Sequence, residues 1–297
     1  MKFITFKKKS ESSVKNPQYH IGALIPADKI YDLTSLVAEE SMTATELLQC
    51  FDLENDFIVK AQNSLDRSFD LSIINREEIE ICPPVPRPNK IICIGLNYRD
   101  HALESGMPIP SSPIIFSKFS TCVIGANQPI TLPKGSNQVD YEAELAFIIG
   151  RTAKNVKKEA AMNYVFGYTN FNDVSARDFQ FADGQWQRGK SCDTFAPLGE
   201  FIATTDEIPD PHNLQIQFRL NGETLQNSNT RELIFKIPEL IEFLSASITL
   251  EPGDIIATGT PPGVGFARKP PVFMKDGDRA EVEIEGLGIL SNPVAAG

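Results

Sequence analysis

Glu142 and Glu144 stand at the entrance of the short apolar run 145–149, which Gly150 stops. A continuous apolar run of that length reads as a buried strand. In a strand, positions i and i+2 share a face, with Cα atoms about 6.5 Å apart. Two carboxylates at that separation repel by roughly 2–3 kcal/mol at an effective dielectric near 20. Burial sharpens the repulsion unless a cation sits between them, and hard divalent cations take carboxylate oxygens. A wet strand end would instead leave both acids solvated, as charged residues usually are. The pair alone does not choose between the two.

A second pairing lies upstream. Asp100 is a candidate N-cap, and His101 and Glu104 then fall at i,i+3 on one helical face. A carboxylate beside an imidazole favours its charged form and fixes its tautomer, which makes a general acid/base pair. A surface His–Glu contact is the plain alternative. Downstream, Thr258-Gly259-Thr260-Pro261-Pro262-Gly263-Val264-Gly265 is rich in glycine. Such a loop allows close backbone approach to a ligand, and successive amides can form an anion nest. It is not a phosphate-binding P-loop, because the Lys-Ser/Thr ending is missing. The polar stretch 169–180 reads by itself as a turn around Asn172-Asp173. The polar loop 183–190 carries the only tryptophan, Trp186, and ends at Lys190.

The elements that must position these residues fall on two sides of a proline cluster at positions 83, 84, 86 and 88. Prolines at that density continue neither a helix nor a central strand. Residues 1–85 therefore read as a small separate α/β unit, with strands at the start and near 22–25 and a helix near 45–48. Residues 86–297 form the second unit. It opens with a buried strand at 90–94, and 157–166 reads as a helix with Ala160, Ala161, Tyr164 and Val165 on one side. Leu214, Ile216, Phe218 and Leu220 alternate with polar residues ahead of Asn221-Gly222, a hairpin turn. Pro238 opens a helix, and 251–254 turns into a strand at 255–257. Ala280, Val282 and Ile284 alternate with Glu281, Glu283 and Glu285, a last strand with one wet face. The fold class is α+β, mainly β, and a regular β-α-β alternation does not fit.

Composition narrows the chemistry. A net charge of −11 over 297 residues disfavours nucleic acid and anionic membrane as partners. Five cysteines, an odd number without a C-x-x-C spacing, argue for a reducing compartment and against a zinc site. With only three histidines, any metal must be held mainly by oxygen. No apolar run approaches the ~18 residues of a membrane span, and the opening residues lack the apolar core of a signal peptide. The cytoplasm is the expected compartment, with the mitochondrion as the alternative.

Five segments taken together resemble the fumarylacetoacetate hydrolase family, in that family's order and across roughly 88–295. They are Gly95-Leu96-Asn97-Tyr98-Arg99-Asp100-His101-Ala102-Leu103-Glu104, Asp140-Tyr141-Glu142-Ala143-Glu144-Leu145, Asn172-Asp173-Val174-Ser175-Ala176-Arg177-Asp178, Gly189-Lys190 and the glycine loop 258–265. The stretches 173–198 and 268–273 look closest to the branch called fumarylacetoacetate hydrolase domain-containing protein 2. The resemblance implies a β-roll catalytic domain behind a variable N-terminal domain, assembled as a homodimer. It implies that Glu142, Glu144 and Asp173 hold Mg²⁺, with Mn²⁺ or Ca²⁺ as alternatives. His101 and Glu104 match a dyad on a lid helix, and Lys190 matches a lysine near the metal. Arg177 and Gln180 match polar groups around that site, and Thr260 with Gly259 matches a loop that grips a substrate carboxylate. Two features depart from the pattern. Leu96 stands where acylpyruvate-cleaving relatives carry Arg, and the long N-terminal β-barrel of fumarylacetoacetate hydrolase itself is missing. The implied activity is metal-dependent enolisation of a small 2-oxo acid, oxaloacetate keto–enol tautomerisation first. C–C hydrolysis of a 1,3-diketo acid or decarboxylation is the alternative, and a non-catalytic metabolite-binding role is a further one.

Overall fold

Ala143–Ile149 is buried along its whole length, as its apolar run 145–149 requires, and the burial takes Glu144 with it. It pairs antiparallel with Val165–Asn172 on one side and with Ile255–Ala257 on the other. Beyond Ile255–Ala257 come Ile91–Gly95, in parallel, and the edge strand Ile114–Lys118. Beyond Val165–Asn172 come Ile202–Thr204 and then the first strand, Lys2–Lys8. His20–Ile25, Lys29–Asp32 and Ile73–Asn75 continue from there, and Ile79–Cys82 also pairs with Lys2–Lys8, giving an 11-stranded sheet. This computed structural model describes residues 1–11, 18–26, 29–67, 72–104 and 108–297.

A second sheet of five strands runs in the order Glu223–Asn229, Gln215–Leu220, Arg279–Ile284, Gly288–Ala296, Ile130–Leu132. Its inward residues Ile216, Phe218, Val282 and Ile284 join Leu145, Phe147 and Ile149 in one core. The rings of Tyr141 and Phe218 stack there at 4.0 Å. The architecture is therefore mainly β, and the helix Ile237–Ser247 adds Ile237, Leu240, Ile241 and Leu244 to the same core. The Asn221-Gly222 turn has both residues left-handed, at φ 54° and 82°, as a two-residue hairpin demands.

Four expectations are corrected. The helix expected over 157–166 is one turn, Lys158–Ala161, followed by a 3₁₀ turn, Met162–Tyr164. Val165 and Phe166 belong to the following strand, because Val165 pairs with Ile149. Asp100 does not cap its helix, which begins at Arg99 and runs to Glu104. Its carboxylate instead accepts from the His101 amide and from Ser228 Oγ. The strand Arg279–Ile284 is not the last, since Gly288–Ala296 pairs with it. Finally, 183–190 is not all loop, because Gln187–Lys190 makes a helical turn.

Candidate metal and acid–base site

Glu142, Glu144 and Asp173 gather where the strands Ala143–Ile149 and Val165–Asn172 end. One oxygen from each lies within 4.8 Å of the others, and all three residues are buried. The register explains the meeting. Ala143 opposes Asn172, the Asp173 amide donates to the Glu142 carbonyl, and the Glu142 amide donates to Asn172 Oδ1. Asp173 is thereby set beside a pair that the strand already holds on one face.

Cations pack around this group unevenly. Lys190 Nζ lies 2.8 Å from both Glu142 Oε2 and Asp173 Oδ2. Arg177 donates to Glu142 Oε1 at 2.6 Å, to Asp140 Oδ2 at 2.8 Å and to Gln180 Oε1 at 2.9 Å. Lys118 Nζ sits 2.6 Å from Asp173 Oδ1 and donates to the carbonyls of Val174 and Lys190. That contact to Asp173 is an ion pair without hydrogen-bond geometry, so Oδ1 takes no hydrogen bond. Gly189 makes the approach of Lys190 feasible, since a Cβ there would fall 2.5 Å from the Gln180 amide nitrogen.

The electrostatics follow from this packing. Burial pushes Glu142 up, but Lys190 and Arg177 more than offset it and hold the carboxyl at about 2. Glu144 has no cation of its own among the described residues, and its Oε2 accepts only the Gly259 amide at 2.8 Å. Burial, with Asp173 and Glu142 repelling it, raises its carboxyl well above the usual range. Burial lowers Lys190, and Asp173 and Glu142 overcome that and raise it. Buried oxygen donors with one uncompensated acid are the donor set a hard divalent cation takes. The site fits such a metal.

The candidate acid–base pair sits on the short helix Arg99–Glu104. His101 Nδ1 lies 3.4 Å from Glu104 Oε2, and the imidazole is only 10% exposed. The same Glu104 oxygen accepts the Gly263 amide at 3.0 Å. The loop 258–265 is thus bonded at Gly259 to the acid cluster and at Gly263 to the dyad. Gly265 donates to Asp140 Oδ1 at 2.7 Å, and Tyr141 Oη donates to the Gly263 carbonyl at 3.2 Å. Gly259 has φ 102°, and a Cβ there would lie 2.8 Å from that of Asn97. Its amide is committed to Glu144. Thr260 Oγ1 accepts from Gln226 at 2.9 Å, which leaves its own proton to donate.

Sequence reasoning missed Lys118, Asp140 and Gln226. Lys118 ends an edge strand, Gln226 sits in an ordinary hairpin, and no spacing marks either. Asp140 adjoins the acidic pair but works through Arg177 and the Gly265 and Phe266 amides. A cleft of about 920 Å³ along Ile114–Lys118 touches Lys118 but neither the dyad nor the three acids. The cleft bordering Glu104 measures about 650 Å³.

The family described as fumarylacetoacetate (FAA) hydrolase, C-terminal, matches residues 90–295. The chain belongs to the fumarylacetoacetate hydrolase family. A Xenopus laevis protein of this family, named oxaloacetate tautomerase fahd2, mitochondrial, is 52% identical over 236 residues, 79% of this chain and 73% of that one. A solved fumarylacetoacetate hydrolase from Exiguobacterium antarcticum superposes with a TM-score of 0.81 at 34% identity, covering 100% of both chains. A maleylpyruvate hydrolase from Sphingobium sp. SYK-6, solved with manganese(II) and pyruvate, does so with a TM-score of 0.81 at 32% identity, again covering 100% of both. Membership agrees with the resemblance read from the five motifs and with the divalent-metal donor set.

Proposed function

We propose that this chain is a divalent-metal-dependent oxaloacetate keto–enol tautomerase. One observation carries the reading: the loop 258–265 is bonded at one end to Glu144 and at the other to Glu104, so acid cluster and dyad serve one site. The name of the 52% identical Xenopus laevis relative supports the choice of substrate. Leu96, in place of the arginine expected of acylpyruvate-cleaving relatives, supports tautomerisation over cleavage.

Glu142, Glu144 and Asp173 would hold Mg²⁺, with Mn²⁺ or Ca²⁺ the alternatives, and the bound ion would supply electrostatic stabilisation of negative charge on the substrate oxygens. Every other step belongs to side chains. His101, oriented through Nδ1 by Glu104, shuttles one proton between C3 and the oxygen on C2 of the substrate with its other ring nitrogen, a role worth a factor of ~10²–10⁴. Lys190, kept cationic by Glu142 and Asp173, donates to the oxygen on C2 as charge develops there. Thr260 donates a hydrogen bond from its hydroxyl to the C1 carboxylate. Arg177 and Gln180 act through Glu142, whose oxygen Arg177 fixes.

Enol-to-keto conversion of oxaloacetate, followed by ultraviolet absorbance with Mg²⁺ and then with EDTA, tests this directly. Fast, chelator-sensitive decay without CO₂ release is expected. No acceleration over buffer would remove the reading, and pyruvate release from acylpyruvates would put C–C hydrolysis in its place. His101→Ala should abolish turnover while metal and oxalate binding persist. The same reading makes the protein a homodimer, which sedimentation equilibrium reads. It also places the protein in the reducing cytoplasm or mitochondrion, which cell fractionation distinguishes.

A further inference from the structure

Oxaloacetate carries a second carboxylate, on C4, and none of the groups described so far receives it. Leu96 offers no charge. The cleft bordering Glu104 is also walled by Arg268, Lys269 and Lys275, three cations in a chain of net charge −11. Among the described residues none of the three is ion-paired. Asp278, an acid in the same wall, is already occupied by Asn221 Nδ2 at 2.8 Å and the Lys275 amide at 2.7 Å. Glu223 lies there as well.

Arg268 differs from the two lysines in being fixed. Its Nη1 donates to the Leu225 carbonyl at 3.0 Å, and Nε and Nη2 have no acceptor among the described residues. The same carbonyl oxygen packs against Gly263, where a Cβ would come within 2.2 Å of it. Gly263 in turn holds Glu104 through its amide. A guanidinium with two free adjacent donors is therefore anchored one backbone contact from the loop whose Gly263 amide holds Glu104 of the dyad. Two parallel N–H groups are the geometry that binds a carboxylate bidentately.

We propose that Arg268 is the specificity-determining residue of this site and pairs through Nε and Nη2 with the C4 carboxylate of the substrate. Lys269 and Lys275 raise the local potential that draws a dianion into the cleft. The inference rests on the tautomerase reading for the identity of the substrate. It does not rest on it for the number of carboxylates.

The test compares two ligands that differ only in that carboxylate. Binding of oxaloacetate and of pyruvate to the full chain with Mg²⁺ is measured by calorimetry for the wild type, Arg268→Gln and Arg268→Lys. The wild type should prefer oxaloacetate by about tenfold or more, the size expected of a charge-assisted pair. Arg268→Gln should erase the preference and leave pyruvate affinity within about twofold, and Arg268→Lys should restore part of it. In the enol-decay assay KM should rise about tenfold in Arg268→Gln, with kcat within about threefold. A preference that survives Arg268→Gln, a wild type without preference, or an equal loss for both ligands would overturn the assignment. A wild type that does not accelerate enol decay would remove the tautomerase reading alone, since the oxaloacetate-to-pyruvate ratio still decides the role of Arg268.

Discussion

Asp173 is held by two lysines that carry the same charge and do different work. Lys190 reaches Oδ2 and also Glu142, so it lies between acids at the site. Lys118 reaches Oδ1 from behind and also binds the carbonyls of Val174 and Lys190. It therefore ties the turn that presents Asp173 to the helical turn that presents Lys190. Groups that orient metal ligands typically matter 10–100-fold for affinity or activity. Lys118→Met, which keeps the aliphatic stem, should weaken Mn²⁺ binding by about that factor and lower kcat with it. Titration of Mn²⁺ by electron paramagnetic resonance reads the first, and unchanged affinity would make Lys118 merely structural. The legibility of these residues follows their separation in the chain. Glu142 and Glu144 could be paired from spacing alone, because a strand puts i and i+2 on one face. Asp173 and Lys190 needed the family resemblance, and Lys118 meets Val174 across 56 positions through sheet topology that no local pattern encodes.

At the scale of elements, the loop 258–265 was recognisable by its glycines, but its purpose was not. An anion nest was the expectation. In the structure its amides bind the protein's own carboxylates, Glu144, Glu104 and Asp140. Gly263 has φ 99°, and any Cβ would strike the Leu225 carbonyl, whereas Gly222 has φ 82° and open space around it. Gly222→Ala should cost only the ~1–2 kcal/mol of left-handed backbone and leave activity intact. Gly263→Ala should add displacement of the loop, break its bond to Glu104 and lower kcat/KM by roughly 10²-fold, the size of a lost acid–base contribution. Equal kinetics in the two variants would show that the loop does not position the dyad. The helix misjudged at 157–166 teaches the converse: Ala160, Ala161, Tyr164 and Val165 have helical spacing, yet pairing with Ile149 claims the last of them. The turn 251–254 carries a pH effect of definite sign. Burial raises Asp254 to about 6, despite the Glu251 amide and Lys90 Nζ at 3.0 Å. The folded state then binds a proton that the unfolded state has released, so stability from this group falls as pH rises from about 4 to about 6. Asp254→Asn should flatten the urea-denaturation midpoint across that window, and an unchanged slope would assign the pH dependence elsewhere.

Across the whole molecule, the proline cluster suggested a small separate unit over 1–85, and the family match begins only at residue 90. The sheet and the core run through that boundary. Lys2–Lys8 pairs with Ile202–Thr204, and Phe3, Phe51 and Phe57 share one buried cluster with Phe166, Phe171, Leu198 and Ile255. Phe166 is central to it, with ring centroids 5.7 Å from Phe3 and 5.2 Å from Phe51. Leu53 donates its amide to the Gly150 carbonyl, just past the strand that begins between Glu142 and Glu144. Prolines in a sequence mark where the chain must bend, but not which strand it then pairs with, so this continuity could not be read in advance. It has a thermodynamic consequence: apolar surface buried between two segments makes the unfolding of one expose the other. We therefore expect one cooperative transition, with coincident loss of near- and far-ultraviolet circular dichroism. Phe166→Ala should shift that single transition by about 3–5 kcal/mol, the usual cost of removing a buried phenylalanine. Two resolved transitions, with Phe166→Ala moving only the segment that contains it, would show 1–85 to be an independent domain. A single transition would mean that residues lacking any chemistry of their own still set the stability of the strand on which the acids converge.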